Sequence, residues 1–378
     1  MSNLHFCLDH NFIENSRLTF ERFYPNENIY VLPYKCSSIR MIKNTQDFII
    51  IDPNQKDRFK VLEEICIYSN VDTIVLHGIA LGVGDLVRHL KSKFKIRIFW
   101  LFWGYELYSL LGYEKKYNLI DYKTSIFRKV HYLLPNKLSR FARIIKNKYL
   151  PGELKKVLPI IDYFCFWNKY DFQLLKHYYN YPIKYRFFAY SANNHGASPK
   201  NLYELNECRT KTIMLNHQAS FYGNYKVIFK KLECLVRNQS YNIVVPLSYG
   251  NKTVREEVLK QGAKIFGEKF NPILEYLPKD EYFQKLSEVD VAIFGQRRQE
   301  ASGNIIQLLK NGVKVFLRND NNLLKYYRNQ GYIIYSFEED LRTVRDLQSL
   351  TREEKKHNRQ VYLSNLIYFE DFMPNLLK

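Results

Sequence analysis

Short apolar, β-branched runs alternate with stretches of helical period along most of this chain. In the first half, "NIYVLP", "DFIIID", "TIVLHG", "RIFWLFWG", "DYFCFW" and "YRFFAY" read as strands, with "DLVRHLKSKF" and "DFQLLKHYY" as helices between some of them. The turn-rich run "SANNHGASPKN" then breaks both periods. After it the pattern restarts with "KTIMLNH", "NIVVPLS", "AKIFGE", "DVAIFG", "VKVFLR" and "GYIIYSF" as strands, separated by helices such as "VIFKKLECLV", "REEVLKQG", "EYFQKLSEV" and "NIIQLLKNG". Repeated strand, helix, strand order demands parallel sheets with right-handed crossovers. The expected fold class is α/β, with two Rossmann-like domains whose parallel sheets face a central cleft. A polar linker near Ser191–Lys211 joins them. Residues 1–200 form the first domain, 211–355 the second, and "TREEKKHNRQVYLSNLIYFEDFMPNLL" reads as helix, so that 356–378 becomes a C-terminal helix.

Length agrees with two domains, since 378 residues exceed one ordinary core. An apolar fraction of 46% is normal for a globular chain and argues against disorder. The six cysteines contain no Cys-x-x-Cys pair, which suggests neither a zinc site nor a disulfide framework and fits a reducing compartment. The start "MSNLHFCLDHNF" lacks a basic region followed by an apolar core. The longest apolar stretch, around "IRIFWLFWGY", falls short of the roughly 18 residues a membrane span needs. A cytoplasmic protein that spans nothing is expected.

Charge changes that picture, because a net +19 calls for a polyanionic partner or surface. From Lys123 to Lys156 the chain carries ten Lys or Arg against one acid, Glu153. Leu138, Phe141 and Ile145 are spaced to share one helical face, leaving Lys137, Arg140, Arg143 and Lys148 for the rest of the circumference. Such a helix either lies at the interface of an anionic membrane or is a solvated helix docked on its own domain. Nucleic acid is not expected, as no nucleic-acid-binding motif accompanies the charge.

The second half holds the better chemistry. In an open parallel sheet, ligands bind at the carboxyl ends of strands, where a following helix offers free N–H groups to an anion. "QASFYGN" follows the strand "KTIMLNH" and places Asn216 and Ser220 at such a point; "VVPLSYGN" brings Ser248, Tyr249 and Gly250 to the same rim. In "FGQRRQEASGN", Arg298 is a candidate phosphate ligand, Ser302, Gly303 and Asn304 open a helix, and Glu300 is placed to accept from a ribose or sugar hydroxyl. The alternative is that Arg297 and Arg298 are surface charges and Ser-Gly-Asn is a helix cap. No Gly-x-Gly-x-x-Gly is present, which disfavours a hydride-transferring dinucleotide enzyme.

The order "KTIMLN … NIVVPLSYGN … REEVLKQGAKIF … EYLPKDEYFQKLSEVDVAIFGQRRQEASGNIIQLLKNGVKVFL" resembles glycosyltransferase family 56, whose members add 4-acetamido-4,6-dideoxygalactose to a polyprenyl-linked sugar in enterobacterial common antigen synthesis. "VLHG" at Val75–Gly78 and "WGYELY" at Trp103–Tyr108 are similar to that family's His-Gly and Trp-Gly-x-Asp-Leu-Tyr segments. Glu106 and Glu300 depart from it, standing where the family is expected to carry Asp and Gln. The resemblance implies a GT-B fold with a C-terminal helix crossing back to the first domain. It implies a nucleotide-diphosphate sugar donor, with dTDP as the expected nucleotide, held in the second domain by the residues above together with Tyr276 and Leu277. It also implies a lipid-linked acceptor at the first domain, near Trp103 and the basic Arg140, Phe141, Arg143 and Lys146, on the cytoplasmic face of an inner membrane.

The residues themselves fit glycosyl transfer, which needs a stabilised leaving diphosphate and, for inversion, a base. There is no Asp-x-Asp, so no metal and no cofactor are expected, and Arg298 with the helix start takes the place of a metal clamp. Glu106, His77 and Asp85 are the candidate bases, the first two expected at strand ends and Asp85 after the glycine-rich loop "GIALGVGD". Each has a structural alternative: a helix-starting acid, a satisfied core histidine and an N-cap. Two rivals share these features in part: a non-catalytic nucleic-acid-binding protein, and a nucleotide-sugar epimerase of similar architecture.

Overall fold

The computed structural model describes residues 2–133, 151–191, 211–237 and 240–378. They fall into two compact units, Met1–Tyr117 with Lys137–Ala192 and Ile367–Lys378, and Asn118–Asn136 with Asn193–Leu366. The segment carrying Arg140, Phe141, Arg143 and Lys146 lies outside the described residues.

The first unit is built on a seven-stranded sheet of β1 (Ser2–Phe6), β2 (Asn28–Leu32), β3 (Ile49–Ile50), β4 (Val71–His77), β5 (Arg97–Leu101), β6 (Tyr163–Cys165) and β7 (Lys184–Arg186). Its order is β3-β2-β1-β4-β5-β6-β7 and every pairing is parallel. Strand order reverses between β1 and β4, so the crevice at the carboxyl ends of those strands is where such a sheet takes a ligand. Val75, Phe99, Leu101 and Cys165 pack with Phe20 on the preceding helix Phe12–Phe23 and with Phe372, Met373 and Leu376 of the last helix. Each fully buried Leu or Phe there contributes about 1.5–3 kcal/mol. Tyr24 pins the chain end, its hydroxyl donating to the Met373 carbonyl and accepting from the Leu377 amide.

The second unit repeats the plan with β8 (Lys211–Leu215), β9 (Tyr241–Pro246), β10 (Phe270–Ile273), β11 (Val291–Ile293), β12 (Lys314–Leu317) and β13 (Tyr335–Ser336) in the order β10-β9-β8-β11-β12-β13, again all parallel. Here the order reverses between β8 and β11. The helix Tyr225–Val236 buries Tyr225, Ile228, Phe229, Leu232 and Val236 at helical spacing against the sheet.

Three expectations are corrected. "AKIFGE" is not a strand: the helix Lys252–Phe266 runs through it, because Val254, Val258, Gly262 and Phe266 form one buried face, and the strand is Phe270–Ile273. The C-terminal stretch is two helices, Arg352–Ser364 and Phe369–Leu376, rather than one. Glu106 follows the strand end by a turn and lies in the first turn of the helix Tyr105–Tyr113.

Candidate functional site

In the second unit the crevice between β8 and β11 is braced by Asn216. Its amide N–H continues the ladder to the Ile293 carbonyl at 2.9 Å. Its side chain then accepts from the Gly295 N–H at 2.8 Å and donates to the Gly223 carbonyl at 3.0 Å. One buried amide thus ties the loop after β8 to the loop after β11. Those backbones lie so close that a Cβ on Gly295 would fall 2.1 Å from the Gly223 oxygen, so only glycine fits. Asn224 and Asn321 add to the brace, donating to the carbonyls of Gly295 and of Gln296 and Arg298 at 2.9 Å each. Three non-glycine residues with positive φ, Asn216 (+56°), Asn224 (+48°) and Ala301 (+63°), border this crevice. Strained backbone of this kind gathers at functional sites.

On that frame, Arg298 and Glu300 face each other. Arg298 Nε donates to Glu300 Oε2 at 3.2 Å and its guanidinium lies 4.4 Å from the Tyr222 ring centroid. Gln218 donates to the other carboxylate oxygen of Glu300. The buried His217 ring lies 3.9 Å from Glu300 Oε1, and burial pushes its pKa down to about 4, so it is neutral near pH 7. The loop ends at Ala301, whose left-handed backbone opens the helix Ser302–Lys310 without a side-chain cap. Ser302, Gly303 and Asn304 form its first turn, whose N–H groups have no helical carbonyl to bond. A Cβ on Gly303 would meet nothing within 4 Å, which leaves open space over that turn.

Arg297 has a different role from its neighbour. It pairs with Asp121 at 2.8 Å and Asp320 at 2.6 Å, and the buried Arg318 pairs with Asp121 at 2.7 Å and with Glu338. These ions hold the loop from behind. The β9 loop joins the rim through backbone bonds between Ala219 and Tyr249 and between Asn251 and Ala219. That places Ser248, the exposed Tyr249 and Gly250 beside Ser220, whose hydroxyl caps the turn Phe221–Gly223. Tyr276, 82% exposed, and Leu277 follow the edge strand β10, two strands from β8. Sequence reading missed His217, Gln218, Asn224 and Asn321; the first three lie in or beside the quoted "QASFYGN" loop.

The crevice of the first unit is aromatic and buried. His77 ends β4 and meets His5 of β1, Nε2 to Nδ1, at 2.9 Å. Asn28 donates through Nδ2 to Glu21 and to the Tyr24 carbonyl, so its Oδ1 accepts from His5 Nε2 at 3.1 Å. The protons follow: His5 Nδ1 accepts from His77 Nε2, His77 Nδ1 accepts from the Tyr190 hydroxyl at 3.3 Å, and that oxygen accepts from Trp103 Nε1 at 2.7 Å. Both imidazoles are neutral, and burial holds both well below the usual histidine range. Both nitrogens of His77 are occupied.

Glu106 is the other buried polar group there. Trp100 Nε1 approaches its Oε1 at 3.4 Å, and Oε2 is buried with no hydrogen-bond partner among the described residues. Burial pushes its pKa up to about 7, while the Trp100 indole and nearby amides limit the rise. Gly78, at φ +74°, brings the backbone against it: a Cβ there would lie 3.2 Å from Glu106 Oε1 and 2.6 Å from Leu8 Cδ1. His10 packs edge-on to Trp103 at 4.6 Å, with Phe12 beyond at 6.0 Å. Asp85 lies apart from these groups. It is exposed in the first turn of the helix Val83–Lys93, paired with Lys156 at 2.8 Å, and Gly82 occupies the N-cap position. Among the described residues no cluster of three or more His, Cys, Asp or Glu could hold a metal ion, and no helix is long and apolar enough to cross a membrane.

No known family profile matches the chain, and no curated protein matches it by sequence. Solved structures do match. A glycosyltransferase from Rickettsia africae shares 12% identity over 97% of this chain and 94% of its own, with a TM-score of 0.59. HepE from Anabaena, solved with UDP-glucose, gives 7% identity, 97% and 95% coverage and 0.59. Sucrose-phosphate synthase from Thermosynechococcus elongatus gives 8%, 98% and 96%, and 0.59. The chain has the GT-B fold over nearly its whole length.

Proposed function

We propose that this protein is a glycosyltransferase that moves a deoxyamino sugar from a nucleotide-diphosphate donor, dTDP-linked, to a saccharide carried on polyprenyl diphosphate in surface-polysaccharide synthesis. The observation that carries the reading is the second unit's crevice: an asparagine-braced, glycine-lined loop pair that presents Arg298 and an uncapped helix start at the point of strand reversal. An anion is favoured there by the guanidinium and by the free N–H groups together. The same fold in HepE was solved with UDP-glucose, which supports a nucleotide sugar as the ligand class.

In this reading Arg298 and the first turn Ser302–Asn304 hold the leaving diphosphate, in place of a metal ion. Tyr249, half exposed at the β9 rim, offers a face to the base or sugar. The acceptor belongs to the first unit, where Glu106 removes the hydroxyl proton as the sugar–phosphate bond breaks. A carboxyl with a pKa near 7 suits that task, because it is partly ionised at neutral pH and basic enough to take a proton. His77 holds its ring through Tyr190 and His5 and serves to position Trp103. A lipid-borne acceptor places the protein on the cytoplasmic face of the inner membrane.

Calorimetric titration with dTDP, UDP, GDP and a short oligonucleotide, at low and moderate salt, tests this. One-to-one saturable binding of a single nucleotide is expected. Binding of the oligonucleotide alone, weakening steeply with salt, would overturn the proposal in favour of nucleic-acid binding.

A further inference from the structure

We infer that the helix Tyr122–Leu133, with the basic groove beside it, is a docking surface for an anionic phospholipid bilayer. The helix packs on the second unit through the buried Thr124 and through Phe127, whose ring lies 5.8 Å from that of Phe221 and 4.5 Å from Lys226 Nζ. Among the described residues its opposite face is unpartnered. Tyr122, Ile126 and Val130 are 79%, 44% and 55% exposed, and their four-residue spacing aligns them in one stripe about 12 Å long. Lys123 and Lys129, both exposed, flank that stripe.

Beside the stripe an open groove of about 650 Å³ runs toward the helix Tyr225–Val236, and Lys123, Lys226, Lys230, Lys231 and Arg342 line it with one acid, Asp121. Asp121 does not neutralise them, since Arg297 and Arg318 take both of its oxygens. Lys226 is shared with Glu257 at 3.0 Å and Lys231 donates to the Phe337 carbonyl at 2.7 Å. Lys123 and Lys230 carry no ion pair among the described residues.

Charge complementarity selects the occupant. Cations around an apolar stripe match a surface with phosphate at the head-group level and hydrocarbon just beneath it. Nucleic acid would use the lysines and leave Ile126 and Val130 in water. A second copy of this chain, at net +19, would bring like charge to like charge. The purpose assigned to the surface, meeting a lipid-borne acceptor, rests on the transferase reading; its physical basis does not.

The test is co-sedimentation of the full chain with vesicles of phosphatidylcholine alone and of equal parts phosphatidylcholine and phosphatidylglycerol. Binding to the anionic vesicles only is expected. Lys123→Gln and Lys230→Gln should each weaken it about fivefold. Ile126→Asp with Val130→Asp should weaken it roughly tenfold or more. All four side chains are exposed, so melting temperature and nucleotide binding should stay at the wild-type level. Unchanged vesicle binding in both sets of variants overturns the inference, as does loss of oligonucleotide binding with vesicle binding intact. If no nucleotide binds the wild-type chain and the vesicle response persists, the transferase reading falls and the docking surface stands.

Discussion

The two crevices stand at equivalent points of two sheets that share their order over six strands, the first adding a seventh at its edge, yet they are opposite in chemistry. The first is closed and aromatic: a tryptophan, a tyrosine and two neutral histidines donate hydrogen bonds along one direction, and the carboxyl of Glu106, half protonated near pH 7, is buried beside them. The second is open and ionic, with Arg298, Glu300 and a free helix start on strained loops. Topology therefore supplies a place for a ligand, and the residues at the strand ends decide what it holds. The first crevice can tune one proton; the second can compensate a diphosphate.

The sharpest way to break that comparison is Glu106→Gln. If the carboxyl is the base, turnover should fall about 100- to 10,000-fold while nucleotide affinity is unchanged. Wild-type activity should rise with pH through about 7, as Glu106 ionises. Stability runs the other way. The native state raises this pKa from 4.5 to about 7, so it binds the proton more tightly than the unfolded chain does. The stabilisation is complete below about pH 4.5 and is lost as pH rises through 7, to the extent of about 3 kcal/mol. Melting curves of Glu106→Gln should lack that decline. A glutamine variant with full turnover would return Glu106 to a structural role.

Next in size is Arg298→Ala in the other crevice. Removing a cation paired with a diphosphate costs about 2–5 kcal/mol of binding. Calorimetry should show that loss for the nucleoside diphosphate and little change for the nucleoside, which has no phosphate. Equal losses for both would mean that the arginine shapes the loop through Tyr222 and does not meet phosphate.

How far the sequence foretold the two crevices differs as well. "KTIMLN", "DVAIFG" and "VKVFLR" are internal strands whose continuous apolar runs announce burial on both faces, so the second sheet and its switch point were legible. β1 was not, although it is central in the first sheet: "SNLHF" alternates Leu4 and Phe6 with Asn3 and His5, and all four are buried. Its polar half is satisfied only by partners far along the chain, His77 and Asn28, so nothing local marks it as core. β10 was missed for a different reason. It is an edge strand containing Pro272 and only partly buried, whereas "AKIF" before it is more apolar but completes a helical face. Arg297 and Arg298 look alike in sequence; only Asp121 and Asp320, distant in the chain, separate the structural cation from the candidate ligand.

Glu300→Gln offers the smallest and most discriminating test, because Glu300 is a carboxylate paired with a cation, whereas Glu106 in the other crevice meets the Trp100 indole. Its Oε2 accepts from Arg298 and its Oε1 from Gln218, so it competes with any phosphate for the guanidinium. Glutamine keeps an acceptor for Gln218 and removes the negative charge. The affinity for a nucleoside diphosphate should then rise about fivefold, about 1 kcal/mol, as expected for a partly screened pair. If Glu300 also accepts a hydroxyl from ribose or the donor sugar, the nucleotide sugar should gain less than the nucleoside diphosphate. Equal gains would confine Glu300 to restraining Arg298, and a loss for both would show that the carboxylate supports the diphosphate site itself.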